Sequence, residues 1–271
     1  MTYTVLLALL FGILEGVTEW LPVSSTGHLI LLRSFLPNVW RENFFSLFEV
    51  VIQLAALLAV LWRFWPLLWP FSKKKSAAQQ REVLALWGKL LLAALPAAVL
   101  GLLLNDLAQA VLSSPVVIAA ALIFYGVIFL FVGNTPHAAR AATLADLRAR
   151  DALMIGLFQG LALVPGTSRS GATILGGLCM GVTRPTAALF SFLLGMPTML
   201  GAAALRTVTF IRSGTALFAT EWIALAVGCL CAFAVSLLVV DFLIEFVRRH
   251  SFFAFGVYRI LLGIAVLATL F

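Results

Sequence analysis

Six segments of the chain are predominantly apolar and long enough, at roughly 20 residues, for an α-helix to cross the hydrocarbon core of a bilayer. They cover approximately residues 43–63, 87–104, 114–133, 186–206, 222–247 and 252–271. No polar stretch between them is long enough to enclose a core of its own, so we expect one integral-membrane domain over residues 1–271. The composition agrees: 63% of the residues are hydrophobic and 11% are charged, against roughly 45–50% and 25% in soluble domains.

Two further apolar regions, 2–35 and 152–181, are each interrupted in the middle by Pro, Gly, Ser and Thr. These residues are unfavourable inside a helix, because proline removes a backbone donor and hydroxyl side chains compete for backbone hydrogen bonds. We therefore expect two helix–loop–helix hairpins that enter the membrane and leave it on the same side. The predicted fold is an all-α polytopic membrane protein with six transmembrane helices and two such re-entrant hairpins.

The positively charged residues lie mostly in short loops between the apolar segments. The net charge is +7, but this loop pattern is typical of topology signals and does not predict nucleic-acid binding. With the basic loop at 73–81 placed in the cytoplasm, twelve Lys and Arg fall inside and four outside, and both termini face outside. The twelve are Arg63, Lys73, Lys74, Lys75, Arg81, Lys89, Arg140, Arg148, Arg150, Arg184, Arg248 and Arg249; the four are Arg33, Arg41, Arg206 and Arg212.

This threading predicts an inverted repeat. The first hairpin enters from outside and the second from inside, and each is followed by three spans, so the halves 1–135 and 150–271 have opposite orientations. In such folds two broken hairpins meet near the midplane and form one site. A weak sequence similarity between the halves supports the repeat, because the glycines at 12, 16 and 27 recur at 156, 160 and 171, a constant offset of 144 residues.

The first hairpin carries two carboxylates in an apolar setting. Glu15 and Glu19 are four residues apart, so on a helix they share one face. Two like charges in such a place repel each other or recruit a cation, and hard oxygen ligands suit Mg²⁺ or Ca²⁺. We interpret the pair as ligands of a divalent cation or as a general base; a plain ion pair with Arg169 is the alternative.

The tip of the first hairpin, residues 22–28 (here called the first tip), is rich in hydroxyls. Ser24, Ser25 and Thr26 precede a helix predicted to start near Gly27, whose free N–H groups would form an anion site. His28 would lie in the first turn, as general base for a Ser or Thr nucleophile, as the nucleophile itself, or as an acid. A helix cap beside a core histidine is the structural alternative.

The tip of the second hairpin, residues 165–171 (the second tip), surrounds one arginine with glycines and hydroxyls. The guanidinium of Arg169 is a planar fork of donors that suits phosphate, and glycine lets the backbone approach an oxyanion closely. We predict phosphate binding here, with a structural ion pair as the alternative. The predicted phosphate ligands of both tips are Ser24, Thr26, Gly166, Thr167, Ser168, Arg169 and Ser170.

Predictions also concern three polar residues elsewhere in the spans. Glu49 and Gln53 share a helix face and are predicted either to support the site or to form an interhelical hydrogen bond. For Arg259, two turns inside the last span, the expectation is that its side chain extends to the cytoplasmic surface.

The segments 15–28 (EGVTEWLPVSSTGH) and 165–171 (PGTSRSG) closely resemble the two signature motifs of the undecaprenyl-diphosphate phosphatase family, bacterial integral-membrane enzymes associated with bacitracin resistance. The chain length, the number of spans, the segment 48–53 (FEVVIQ) and the pair Tyr258-Arg259 also fit. The resemblance therefore covers nearly the whole chain.

The resemblance implies hydrolysis of undecaprenyl diphosphate to undecaprenyl phosphate and inorganic phosphate, which recycles the lipid carrier of peptidoglycan and other envelope polymers. It implies that Glu15 and Glu19 are tied to the divalent cation, that Ser25 or His28 is the nucleophile, and that Arg169 binds phosphate. It also implies a place in the bacterial cell membrane, an active site reachable from the outer face, and homodimers. The alternative function is a transporter or lipid flippase, since inverted repeats with broken helices are typical of transporters.

Overall fold

The computed structural model describes residues 2–36, 39–112, 114–132 and 140–270, with the backbone alone for 105–111. These residues form ten α-helices and one 3₁₀ turn, and no β-strand. The helices are α1 (Thr2–Thr18), α2 (Ser25–Phe35), α3 (Glu42–Leu68), α4 (Ala77–Leu112), α5 (Pro115–Phe131), α6 (Ala149–Gly160), α7 (Arg169–Cys179), α8 (Arg184–Arg212), α9 (Ala219–Arg249) and α10 (Phe253–Ala268); the 3₁₀ turn is Leu161–Leu163.

Four of the described helices are long and apolar enough to cross a membrane by length and composition: α3, α4 (over Ala77–Leu104), α8 and α9. They coincide with four of the six predicted spans. The other two predictions correspond to α5 and α10, which are apolar but have 17 and 16 residues. At 1.5 Å per residue each is about 25 Å long, somewhat less than the hydrocarbon core. The end of the predicted span 114–133 and the boundary at residue 135 lie outside the described residues.

Both interrupted regions fold as two short helices with a break between them, as predicted. α1 and α2 are separated at residues 19–24, and α6 and α7 are separated by the 3₁₀ turn and residues 164–168. α2 begins at Ser25, two residues before the predicted start, because the Ser24 hydroxyl accepts a hydrogen bond from the backbone N–H of Gly27. The Ser168 hydroxyl caps α7 in the same way, through the N–H of Gly171.

The first helix of each hairpin packs against a long helix that is distant in sequence. α1 runs parallel to α9: a Cβ at Gly12 would lie 2.5 Å from the carbonyl oxygen of Gly228, and one at Gly16 would lie 2.8 Å from that of Ala232. α6 runs parallel to α4: a Cβ at Gly156 would lie 2.2 Å from the carbonyl oxygen of Ala93, and one at Gly160 would lie 2.6 Å from the side chain of Leu100. Small residues allow this close approach, which is how helices associate in lipid.

Contacts among three further helices, α2, α5 and α10, enclose the two tips. α5 and α10 pack antiparallel, with Gly126 against Gly256 and Gly263 against the carbonyl of Ala119. α2 lies against the same pair of helices, since a Cβ at Gly27 would touch the side chains of Leu122 and Leu262. As a result both tips lie in the interior, where they meet.

Candidate active site

The two tips share one backbone geometry. Ser24 has φ 70° and Ser168 has φ 72°, and in the described part of the chain they are the only residues other than glycine with positive φ. Such a conformation costs of order 1–3 kcal/mol and is concentrated at functional sites. Ser24 and Ser168 are 144 residues apart, which is the same offset that relates the glycines of the two halves. Each is followed directly by the first residue of a helix, Ser25 in α2 and Arg169 in α7.

Glu19 is the point where the two tips converge. Its carboxylate is buried, with a side-chain exposure of 6%, and accepts hydrogen bonds from both hairpins. Ser25 Oγ donates to Glu19 Oε2 over 3.2 Å, and Arg169 donates to Oε1 from Nη2 over 3.0 Å and from Nε over 3.3 Å. Gln53 Nε2 of α3 also reaches Oε2, over 3.4 Å. A hydroxyl, a carboxylate and a guanidinium therefore form one network, and Gln53 joins it through a hydrogen bond from another helix, which combines the two alternatives predicted for it.

Arg169 is held on its other side by α8. Its Nη1 donates to the backbone carbonyl of Ser191 over 2.9 Å. Gly195 leaves the room that the guanidinium occupies, because a Cβ there would lie 2.9 Å from Nη1 and 3.1 Å from the Cζ atom. The indole ring of Trp20 lies 5.7 Å from the same Cζ atom. The arginine is thereby fixed with its charge beside Glu19, the carboxylate to which Ser25 also donates.

Ser191 and Gly195 were missed in the sequence. Both look like ordinary small residues of an apolar span, where packing between helices is the usual reason for them. Only their contact with a guanidinium more than 20 positions earlier in the chain gives them a role, and no local pattern reports that contact.

Glu15 lies on α1, four residues before Glu19, and is almost fully enclosed, with 1% exposure. Its Oε1 atom has no hydrogen-bond partner among the described residues, which is costly for a buried polar atom. No group of three or more His, Cys, Asp or Glu side chains with metal-binding geometry occurs in the described chain. The oxygens of Glu15 and Glu19 nevertheless fit a cation such as Mg²⁺, which commonly binds one or two carboxylates and completes its shell with water and substrate phosphates.

His28 faces away from the serine hydroxyls of its own tip. Its Nδ1 lies 2.8 Å from the carbonyl oxygen of Ser24, and its Nε2 lies 2.7 Å from the hydroxyl of Tyr258. A carbonyl only accepts, so we assign the imidazole proton to Nδ1, and Nε2 then accepts from Tyr258. The two rings also stack, with centroids 5.5 Å apart and planes 13° from parallel. The free lone pair of His28 is therefore directed at Tyr258, not at Ser25.

The other predicted phosphate ligands have varied positions. Thr26 is exposed, whereas Ser170 is buried and its hydroxyl donates to the carbonyls of Glu19 and Leu21. Gly166 has φ 92°, and a Cβ there would lie 2.4 Å from the carbonyl oxygen of Ile118, so only glycine suits this turn. The carbonyls of Gly166 and Thr167 accept hydrogen bonds from Arg259.

The prediction for Arg259 was wrong. Its side chain does not extend to a surface; it is 0% exposed and donates to backbone carbonyls of both tips. The physical reason is the packing of α10 against α5, which encloses the guanidinium beside the rings of Tyr125 and Phe129, each centred 5.8 Å from its Cζ atom.

Comparison with known proteins identifies the family of the chain. Residues 8–265 match the family described as bacitracin resistance protein BacA. The chain belongs to this family.

Individual relatives cover nearly the whole chain. It is 46% identical over 267 residues to an undecaprenyl-diphosphatase of Enterococcus faecalis, and the match covers 97% of this chain and 96% of that protein. It is 43% identical over 270 residues to undecaprenyl-diphosphatase 1 of Oenococcus oeni (99% and 97% covered), and 46% identical over 268 residues to the undecaprenyl-diphosphatase of Streptococcus mutans (98% and 95%). The family resemblance predicted from the two motifs is confirmed.

Proposed function

We propose that this chain is a membrane phosphatase that hydrolyses undecaprenyl diphosphate to undecaprenyl phosphate and inorganic phosphate. The observation that carries the proposal is the network of Ser25, Glu19 and Arg169, which joins a nucleophile, a base and a phosphate-binding cation from two separate hairpins. The full-length likeness to proteins named undecaprenyl-diphosphatase supports the substrate. The activity would recycle the lipid carrier of peptidoglycan synthesis and thereby contribute to bacitracin resistance.

The diphosphate would be bound where α2 and α7 begin. The first backbone N–H groups of each helix have no acceptor within their own helix, and the helix dipole adds positive potential there. Arg169 contributes the permanent charge and a planar set of donors. In exchanging its contact with Glu19 for one with phosphate, the guanidinium would also free the carboxylate beside Ser25.

In the chemical step Ser25 Oγ attacks the terminal phosphorus and Glu19 accepts the hydroxyl proton. The bond from that phosphorus to the bridging oxygen breaks, and undecaprenyl phosphate leaves with the electron pair. Glu19 then releases its proton to solvent. Water attacks the phosphoserine: its hydroxyl stays on phosphorus, its remaining proton goes to Ser25 Oγ, and inorganic phosphate departs.

The geometry favours Ser25 over His28 as nucleophile. Ser25 already donates to a carboxylate that can remove its proton, which is how a serine is activated. The only imidazole lone pair of His28 is occupied by Tyr258, and its Nδ1–H stabilises the bend of the first tip through the Ser24 carbonyl.

Glu15 and Glu19 would hold a divalent cation, Mg²⁺ or Ca²⁺, in the substrate complex. The unpartnered oxygen of Glu15 supports this assignment. The cation would neutralise part of the phosphate charge that accumulates as the bond breaks.

The membrane arrangement belongs to the same proposal: six spans and two re-entrant hairpins in an inverted repeat, with both termini and the site facing outside. Three features support the inverted repeat. The strained serine caps recur at the 144-residue offset; α1 on α9 mirrors α6 on α4, each pair parallel; and α5 and α10 are antiparallel, as their threading requires.

The direct test uses the detergent-purified protein with undecaprenyl diphosphate and Mg²⁺ or Ca²⁺. We expect the wild-type protein to release inorganic phosphate. In Ser25→Ala the rate of release should fall by about 10³-fold, because the covalent route is removed. A wild-type protein that binds the lipid or moves it across a vesicle bilayer without releasing phosphate would instead support the transporter alternative.

The nucleophile is tested by trapping the phosphoenzyme with a substrate labelled in its terminal phosphate. Phosphoserine survives acid, whereas phosphohistidine is hydrolysed by it. We expect acid-stable label on the peptide containing Ser25, and none in Ser25→Ala; acid-labile label on His28 would reverse the assignment.

A further inference from the structure

Arg259 is the most deeply enclosed charge of the described chain. Its side chain is 0% exposed, and no carboxylate forms an ion pair with it among the described residues. Burying a charge without a counter-charge is expensive unless hydrogen bonds replace its hydration. The partners that Arg259 takes therefore indicate what it is for.

Those partners are backbone carbonyls of both tips. Nη1 donates to the carbonyl oxygen of Pro22 over 3.0 Å, and Nη2 donates to those of Gly166 over 2.8 Å and Thr167 over 2.9 Å. Pro22 and Gly166 are related by the same 144-residue offset that relates the two serine caps. One guanidinium thus binds equivalent atoms of the two tips at once, from a helix that belongs to neither.

The bound carbonyls are close to the reacting groups in the chain. Pro22 lies three residues before Ser25, and Gly166 lies three residues before Arg169. Each short stretch contains the strained cap and ends at the first residue of a helix, which leaves little freedom between the bound carbonyl and the reacting group. Fixing Pro22 relative to Gly166 therefore fixes the nucleophile relative to the phosphate-binding guanidinium.

We propose that Arg259 is a positioning residue that sets the distance between Ser25 and Arg169 by joining the two tips. This inference rests on the proposed phosphatase function for its kinetic consequence, while its structural consequence is independent of it. The planar fork is essential to the role, since its two Nη atoms reach two loops in one plane. The point charge of lysine has no such geometry.

The kinetic test compares Arg259→Lys and Arg259→Gln with wild type, on monodisperse protein and per folded molecule. We expect kcat to fall at least about 30-fold in both, with KM changed by less than about threefold, because a misplaced nucleophile slows chemistry more than it weakens binding of a long lipid. A residue needed only for folding would lower thermal stability and leave kcat unchanged. Arg63→Lys is the matched control, since Arg63 is half exposed and pairs with Asp241; it should match wild type.

A distance measurement tests the same inference without activity. Spin labels are placed at Phe35, the last residue of α2, and at Cys179, the last residue of α7, both exposed, with Cys229 and Cys231 replaced by Ala. We expect a narrow distance distribution in wild type and a broader or shifted one in Arg259→Lys. Wild-type kcat or an unchanged distribution in that variant would overturn the proposal.

Two results separate this inference from the function on which it rests. If wild type releases no phosphate, the phosphatase proposal fails and the distance distributions alone decide the role of Arg259. If neither Arg259 variant folds, Gly171→Ala decides: it keeps Arg259 and adds a Cβ 3.3 Å from its Nη1 and 3.3 Å from the Cβ of Ser168. Ser168→Ala is therefore its comparison, because it perturbs the same cap without touching Arg259. A kcat at least threefold lower in Gly171→Ala than in Ser168→Ala supports the inference, and equal values overturn it.

Discussion

The two tips share one backbone conformation but carry different functional side chains. In each, a serine with φ near 70° caps a helix through the N–H of a glycine three residues later. The residue after the cap is Ser25 in the first tip and Arg169 in the second, so the nucleophile and the phosphate-binding cation occupy equivalent positions. A repeated backbone therefore supplies two helix N-termini for one diphosphate, and the divergence of single side chains divides the roles between them.

The largest effect expected from this division of roles is at Arg169. We predict that Arg169→Ala lowers kcat/KM by about 10³-fold or more, because the cation that offsets phosphate charge in the transition state is lost. The measurement is phosphate release by purified protein. The double variant Glu15→Gln with Glu19→Gln should be equally inactive while remaining folded; activity within a few-fold of wild type in either would contradict the division.

An intermediate effect is expected where α8 supports the second tip. In Gly195→Ala the new methyl would lie 2.9 Å from Arg169 Nη1, so the guanidinium must shift. We predict a fall in kcat of about 10- to 100-fold, since a displacement near 1 Å is enough for such a loss. Gly201→Ala is the matched control in the same helix, because its added Cβ would meet nothing within 4 Å. Equal activities of the two variants would show that the position of Arg169 is not fixed by α8.

The smallest effect tests the equivalence itself. Ser24→Ala and Ser168→Ala each remove one helix cap, which is worth about 1 kcal/mol. We predict similar decreases in thermal stability for the two variants, measured in the same detergent. A clearly larger decrease for one of them would show that the two tips share their backbone geometry but not their contribution to the fold.

The membrane class and the broken hairpins were predictable because they depend on local properties. Long apolar runs predict helices in lipid whatever their neighbours are, and a dense cluster of Pro, Gly and hydroxyl residues favours a break in a helix. The same holds for the two motifs, whose unusual density of polar groups in an apolar context indicated the site and the family. The structure places α3, α4, α8 and α9 on predicted spans and breaks both hairpins where expected.

Arg259 shows where such reasoning fails. One arginine in a terminal apolar span is explained equally well by extension to the surface and by burial, and the sequence offers no local signal between them. His28 is similar: its place in the first tip suggests a partner among the nearby hydroxyls, yet Tyr258, 230 residues later in the chain, binds its Nε2.

The sequence by itself determined the helical membrane class, the two hairpin breaks and the residue types of the site, because these follow from hydrophobicity, capping and local backbone preferences. The tertiary structure decided which groups meet: Ser25 with Glu19, Arg169 with Glu19 and Ser191, His28 with Tyr258, and Arg259 with both tips. Those contacts depend on helices packed at glycine-sized distances across the whole chain, and such packing is a property of the assembled helices that no short segment contains.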